Sequence, residues 1–81
     1  MEDAEKLKDH VGRRIAELRE AADLTQANVA EKIDTTVTNY QRIEHGTQNV
    51  TLETMAKIAN AIGVKVGDFF TPFKTRPRRK R

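Results

Sequence analysis

The sequence predicts an all-α fold, a compact bundle of short helices, and three observations carry that prediction. Apolar residues recur at steps of three and four over the first 22 residues and again from Leu52 to Ile62. Thr25, Thr36 and Thr51 stand where helices would start, and Gly46 and Gly63 where helices would stop. No stretch alternates with the period of two that a half-buried strand requires. At 81 residues the chain holds one small domain with a single core. A core of that size favours tight packing or a partner subunit, so oligomerisation is expected.

The first helix is read from Glu5 to Ala22, where Leu7, Val11, Ile15, Leu18 and Ala22 form one narrow stripe. Thr25 then caps a second helix running to about Ile33, with Leu24 and Val29 in the positions of a hydrophobic staple. Asn28 stands where a Glu or Gln would complete the capping box, so that box is expected to be incomplete. Asp34-Thr35-Thr36 breaks the pattern, because Asp tolerates the left-handed conformation and Thr36 can cap the next helix. The third helix is read from Val37 to His45, ending at Gly46, with Tyr40 and Ile43 inward and Thr38, Gln41, Arg42 and His45 outward.

Thr51 caps a fourth helix, Val50 and Met55 take staple positions, and Leu52, Met55, Ile58, Ala59 and Ile62 form its apolar stripe before Gly63. Residues 64–70 suit one last turn or short helix, although Lys65 is a poor cap and Gly67 lowers helix propensity. The domain is placed at residues 1–73. Residues 74–81 have no periodicity and read as a flexible basic tail.

Charge divides along the same line. Lys74, Arg76, Arg78, Arg79, Lys80 and Arg81 supply six of the fifteen basic residues, so the overall +3 sits on a body carrying nine basic and twelve acidic groups. The whole-chain pI near 9.5 is therefore a property of the tail and not a footprint for nucleic acid. With no cysteine there is neither a disulfide framework nor a thiolate metal site, and no apolar run approaches the ~18 residues of a membrane span. Two histidines without nucleophile–base or HExxH-type spacing argue against catalysis. No metal, cofactor, secretory leader or phosphate-binding glycine loop is indicated.

Two short helices separated by Asp34-Thr35-Thr36, the second with a polar outer face, have the spacing of a helix-turn-helix. Four such helices alone suit any small bundle. The residues narrow the choice: Leu24-Thr25-Gln26-Ala27-Asn28-Val29-Ala30, Ile33, Tyr40, Ile43, Glu44 and Gly46, then Asn49-Val50-Thr51-Leu52-Glu53-Thr54. Together with Gly12 and Arg19 they resemble the Cro and phage-repressor helix-turn-helix family, also called the xenobiotic-response-element type, over residues 11–70. The chain departs from the family at Asp23 and Asp34, where Gly is frequent, and at Asn28, Tyr40 and Val50.

The resemblance implies five short helices, a lambda-repressor-like DNA-binding domain, and homodimeric binding to a roughly palindromic double-stranded site with the third helix in the major groove. It implies base contacts from Val37, Thr38, Gln41 and Arg42, and phosphate contacts from Gln26, Thr36, Asn39, Thr47 and Asn49. Gln26 also takes the place of the family's inter-helix hydrogen-bonding Gln, and Ala30 that of the small residue that lets two helices approach. Glu44 is an anion near a helix C-terminus and needs a cation, and the resemblance pairs it with Arg19 in a structural ion pair.

Other residues keep two or more readings. His45 suits a phosphate contact, a pH switch or a solvated helix end. Phe69, Phe70 and Phe73 cluster after the fourth helix: Phe70 and Phe73 suit a dimer contact, and the alternative is that Phe69 and Phe70 close the core with Phe73 lying on the surface. The tail suits a phosphate-neutralising arm, a sorting signal or a solvated end. The function expected is sequence-specific regulation of transcription, as repressor or autoregulator, in a bacterial or phage-encoded cytoplasmic protein. The alternative is a protein-interaction module, such as an antitoxin-like partner or one domain of a larger regulator.

Overall fold

A computed structural model describes residues 3–71. It contains α1 (Ala4–Ala21), α2 (Gln26–Lys32), α3 (Val37–Glu44), α4 (Leu52–Ile62) and a closing 3-10 helix (Val66–Phe70), with no strand among the described residues. The fifth element is thus a 3-10 helix, where the family likeness implied a fifth ordinary helix. Phe73 and the basic tail lie outside the described residues.

All four α-helices begin and end by the same devices. Asp3, Thr25, Thr36 and Thr51 are extended N-caps whose side chains accept from free backbone N–H groups of the first turn. Asn28 corrects the reading of its helix: its Oδ1 accepts from Thr25 N at 2.9 Å while Thr25 Oγ1 accepts from Asn28 N at 2.9 Å, so the box is complete. Each helix ends at a left-handed residue, Asp23 and Asp34 at φ 61°, Gly46 at 75° and Gly63 at 93°. The N–H groups beyond them turn back onto the last carbonyls, as in Thr35 N to Ala30 O at 2.9 Å and Thr47 N to Arg42 O at 3.1 Å.

Val11 and Ile15 from α1, Val29 and Ala30 from α2, Tyr40 and Ile43 from α3, four α4 residues (Met55, Ile58, Ala59 and Ile62) and Phe69 form one buried core, joined by Ile33. Leu52 does not belong to it. The residue is 76% exposed, because it opens α4 about 70° around the helix from the centre of the Met55–Ile62 stripe. Leu7, one to two turns before the core, is 40% exposed.

The packing of α1 against the end of α3 leaves no room for side chains. A Cβ on Gly12 would lie 2.5 Å from the Glu44 carbonyl oxygen, and one on Gly46 would lie 2.8 Å from Asp9 Cα. The 3-10 helix is held by Asp68, whose carboxylate accepts from Lys65 N at 3.1 Å, and by Arg14 Nε donating to Asp68 O at 2.9 Å. Phe69 is thereby fully buried while Phe70 remains 47% exposed.

Candidate nucleic-acid interface

The α2–α3 pair is built around a buried carboxylate. Glu44 accepts from Arg19 Nε at 2.7 Å and from Arg19 Nη2 at 3.3 Å, from the Tyr40 hydroxyl, and from Gln26 Nε2 at 2.9 Å. Arg19 also donates Nη1 to Leu24 O at 2.8 Å, which ties the α1–α2 corner to the same centre. Burial pushes the Glu44 carboxyl up, but the hydrogen bonds from Arg19, Tyr40 and Gln26 outweigh burial and hold it below the usual carboxylate range. Burial and the neighbouring carboxylate push the Tyr40 hydroxyl well above its ordinary value, so it remains a donor. Glu44 in turn raises the Arg19 guanidinium.

Around this centre α3 presents an open face. Val37, Thr38, Asn39 and Arg42 are exposed, and the Arg42 guanidinium makes no hydrogen bond or ion pair among the described residues. Gln41 is half-buried, and its Nε2 donates to Gln26 Oε1 at 3.0 Å. Gln26, the first residue of α2, thus bonds to Glu44 with one end of its amide and to Gln41 with the other. Thr36 is occupied as the α3 cap, with Oγ1 accepting from Asn39 N at 3.0 Å, and Asn39 Nδ2 donates to Thr35 Oγ1 at 3.1 Å. Thr47 Oγ1 donates to Arg42 O at 3.2 Å, and Asn49 is exposed in the connection to α4. His45 is the exposed C-cap of α3.

One flank of α3 carries residues that sequence reasoning does not find. A hollow of about 220 Å³ is lined by Thr35, Asn39, Gln48, Thr54 and Lys57 together with the buried Ile43. Lys57 is an exposed cation on α4, and only the packing of α4 beside the α2–α3 turn brings it to this flank. Its outward place on the α4 wheel is the one signal the sequence offers.

A capped helix pair locked at a fixed angle, with an exposed polar second helix, defines a helix-turn-helix DNA-binding regulator. A family model described as helix-turn-helix matches residues 15–69, and the chain belongs to that family, in its Cro and phage-repressor, xenobiotic-response-element branch. The chain is 35% identical over 66 residues to the control protein C.MunI of Mycoplasma sp, covering 80% of this chain and 89% of that protein. It is 34% identical over 55 residues to the cryptic phage CTXphi transcriptional repressor RstR of Vibrio cholerae, covering 68% of this chain but only 49% of the repressor. The crystal structure of the restriction-modification controller protein C.AhdI from Aeromonas hydrophila superposes with TM-score 0.75 at 29% identity, over 80% of this chain and 97% of that one. The clp gene regulator ClgR from Corynebacterium glutamicum shares the fold, with TM-score 0.76 at 24% identity over 78% of this chain and 67% of that one.

Proposed function

We propose that this chain regulates transcription by binding a specific double-stranded DNA site as a homodimer, in the manner of a controller protein. The observation that carries the reading is the face of α3: Val37, Thr38 and Arg42 are exposed together at the start and middle of a helix whose other side is locked to α1 and α2 through Glu44. Arg42 has the fork that fits O6 and N7 of guanine, and Val37 suits a thymine methyl. Gln41 joins them as a base reader. Gln26, Thr36, Asn39, Thr47 and Asn49 are assigned to the phosphates on either side, joined by Lys57.

Near full-length likeness to C.MunI and C.AhdI supports a controller-type regulator over a phage-repressor type, since the chain matches the phage repressor over only half of that protein's length. One short recognition helix reads few bases, so two copies on a palindromic site are assigned, with Phe70 and Phe73 contributing to the contact between them. Binding a specific DNA site near a promoter assigns the place of action to the cytoplasm of a bacterial or phage-infected cell. Selection of bound sequences from a random duplex library tests the whole reading. An inverted repeat with defined half-sites is the expected result, and recovery of unenriched sequence at moderate salt overturns it.

A further inference from the structure

Thr71, which follows the 3-10 helix, is tied to α1 at two points. His10 Nε2 donates to the Thr71 carbonyl oxygen at 2.9 Å, and Arg14 Nε donates to Thr71 Oγ1 at 2.9 Å and to Asp68 O at 2.9 Å. Arg14 and His10 stand one turn apart on the same side of α1. The chain meets Arg14 first, through Asp68, and then His10, through the Thr71 carbonyl, so it leaves the 3-10 helix heading for the N-terminus of α1. Thr71 is extended, with φ −81° and ψ 155°, as the residue before a proline prefers to be, and the ring of Pro72 fixes the next φ near −65°. Two residues of extended chain span about 7 Å, a little more than the 5.4 Å of one helical turn. Phe73 therefore has the reach to arrive one turn before His10, at the level of Leu7.

An apolar recess lies there. On the wheel of α1, Leu7 is about 60° from His10 and about 20° from Arg14, on the side of Val11. Leu7 continues the apolar stripe of α1 yet is 40% exposed, and with Phe70, 47% exposed, it borders a groove of about 200 Å³ that Val11, Val50 and Met55 also line. We propose that Phe73 of the same chain docks in this groove, against Leu7 and beside Phe70. A tether of two residues holds the ring at an effective concentration of about millimolar, which favours it over a second copy in dilute solution. Docking clasps the 3-10 helix to the first turns of α1. It makes the cations from Lys74 onward depart from the N-terminal end of α1, and it sets Phe73 next to Phe70 as one aromatic face for a second copy. The last of these consequences rests on the homodimeric reading, and the docking itself does not.

The test combines nuclear Overhauser contacts in the full chain with melting of Phe73→Ala, Leu7→Ala and the double variant, each checked for folding by backbone amide spectra. Contacts from the Phe73 ring to the Leu7 methyls are expected within one chain, and they should persist when labelled protein is diluted with unlabelled protein. Phe73→Ala should lower Tm by about 4–8 °C at a concentration where the protein is monomeric, and by less than half as much in the Leu7→Ala background. Contacts found only between labelled and unlabelled chains would mean that the partner's ring fills the groove, and they overturn docking within the chain. Phe73 signals at unstructured positions with no contact to α1, or equal Tm shifts in the two backgrounds, overturn it as well. Contacts within the chain in a protein that sediments as a monomer at every concentration uphold the docking and remove only the homodimeric reading.

Discussion

Glu44 is held by donors from three elements, and its removal should cost more than any surface substitution. With 3% of its side chain and 10% of Arg19 exposed, the pair has little water to fall back on. Glu44→Gln leaves the guanidinium buried without its anion, and chemical denaturation should show a loss of about 3–5 kcal/mol. The pH dependence has a definite sign. The folded carboxyl is lowered, so its stabilisation is fully present above the unfolded value of about 4.3 and is lost as the pH falls through the folded value. The stability gap between wild type and Glu44→Gln should therefore narrow only in acid, and a gap that closes between pH 6 and 8 would contradict this account. Arg42 belongs to the other class of residue. Its guanidinium makes no bond among the described residues, so Arg42→Ala should leave stability within about 0.5 kcal/mol. Its effect should fall on one base pair per half-site, with discrimination reduced by about 1–3 kcal/mol, and unchanged preferences in a selection would remove it from the base readers.

The helix ends show where backbone conformation and packing separate. Asp34 and Gly46 both occupy the left-handed region, at φ 61° and 75°, yet substitution should act in opposite directions. Asp34 is exposed, and Asp34→Gly relieves a strain of roughly 1 kcal/mol while adding unfolded-state entropy, for a net gain of at most about 1 kcal/mol. A clear loss on denaturation would show that the Asp34 carboxylate supports the turn. Gly46→Ala meets both the left-handed cost and the Asp9 backbone 2.8 Å from its Cβ, so it should lose about 2 kcal/mol or more. Gly63→Ala, with φ 93° and nothing near its Cβ, should lose about 1 kcal/mol from the backbone alone, and equal losses at the two positions would discount the packing against α1. These punctuating residues are also what makes the fold legible in sequence: three threonine caps and the stops at Asp34, Gly46 and Gly63 mark α2 to α4 through short-range chemistry. Leu52 misleads because a wheel gives angle but not depth, and the first turn of α4 extends beyond the core. The Asn28 box escapes a reading by residue type because its reach depends on local geometry that residue type does not carry. The need of Glu44 for a cation can be read from charge and helix position and its pairing with Arg19 from the family likeness, whereas the Gln26–Gln41 bond and the approach of Lys57 to α3 depend on how helices distant in sequence pack.

At the scale of the whole molecule, the distribution of charge and apolar surface decides how the fold meets DNA and a second copy. Leu7 and Phe70 are exposed on the rim of an apolar groove of about 200 Å³ that also includes Val50 and Met55. If that face forms the dimer contact, Phe70→Ser should raise the protein concentration at which sedimentation finds dimers by tenfold or more while leaving the melting curve of the monomer intact, since Phe70 is already 47% exposed. An unchanged dimerisation profile would place the contact elsewhere. The body up to residue 73 is acidic, with nine basic against twelve acidic groups, so its own field opposes approach to a phosphate backbone. Six cations lie within residues 74–81, and an arm of that composition would neutralise phosphates without reading bases. Deleting residues 74–81 should then weaken specific and non-specific duplexes by similar factors. It should also make the fall of log affinity with log salt shallower by about 0.9 for each phosphate no longer neutralised, so a dimer whose arms each cover two to three phosphates would change its slope by roughly 4 to 5. Titration of one selected and one scrambled duplex at several salt concentrations measures both effects together. A shallower slope for the scrambled duplex alone would mean that the arm is displaced in the specific complex, and identical slopes for full-length and truncated protein would make the tail a solvated end.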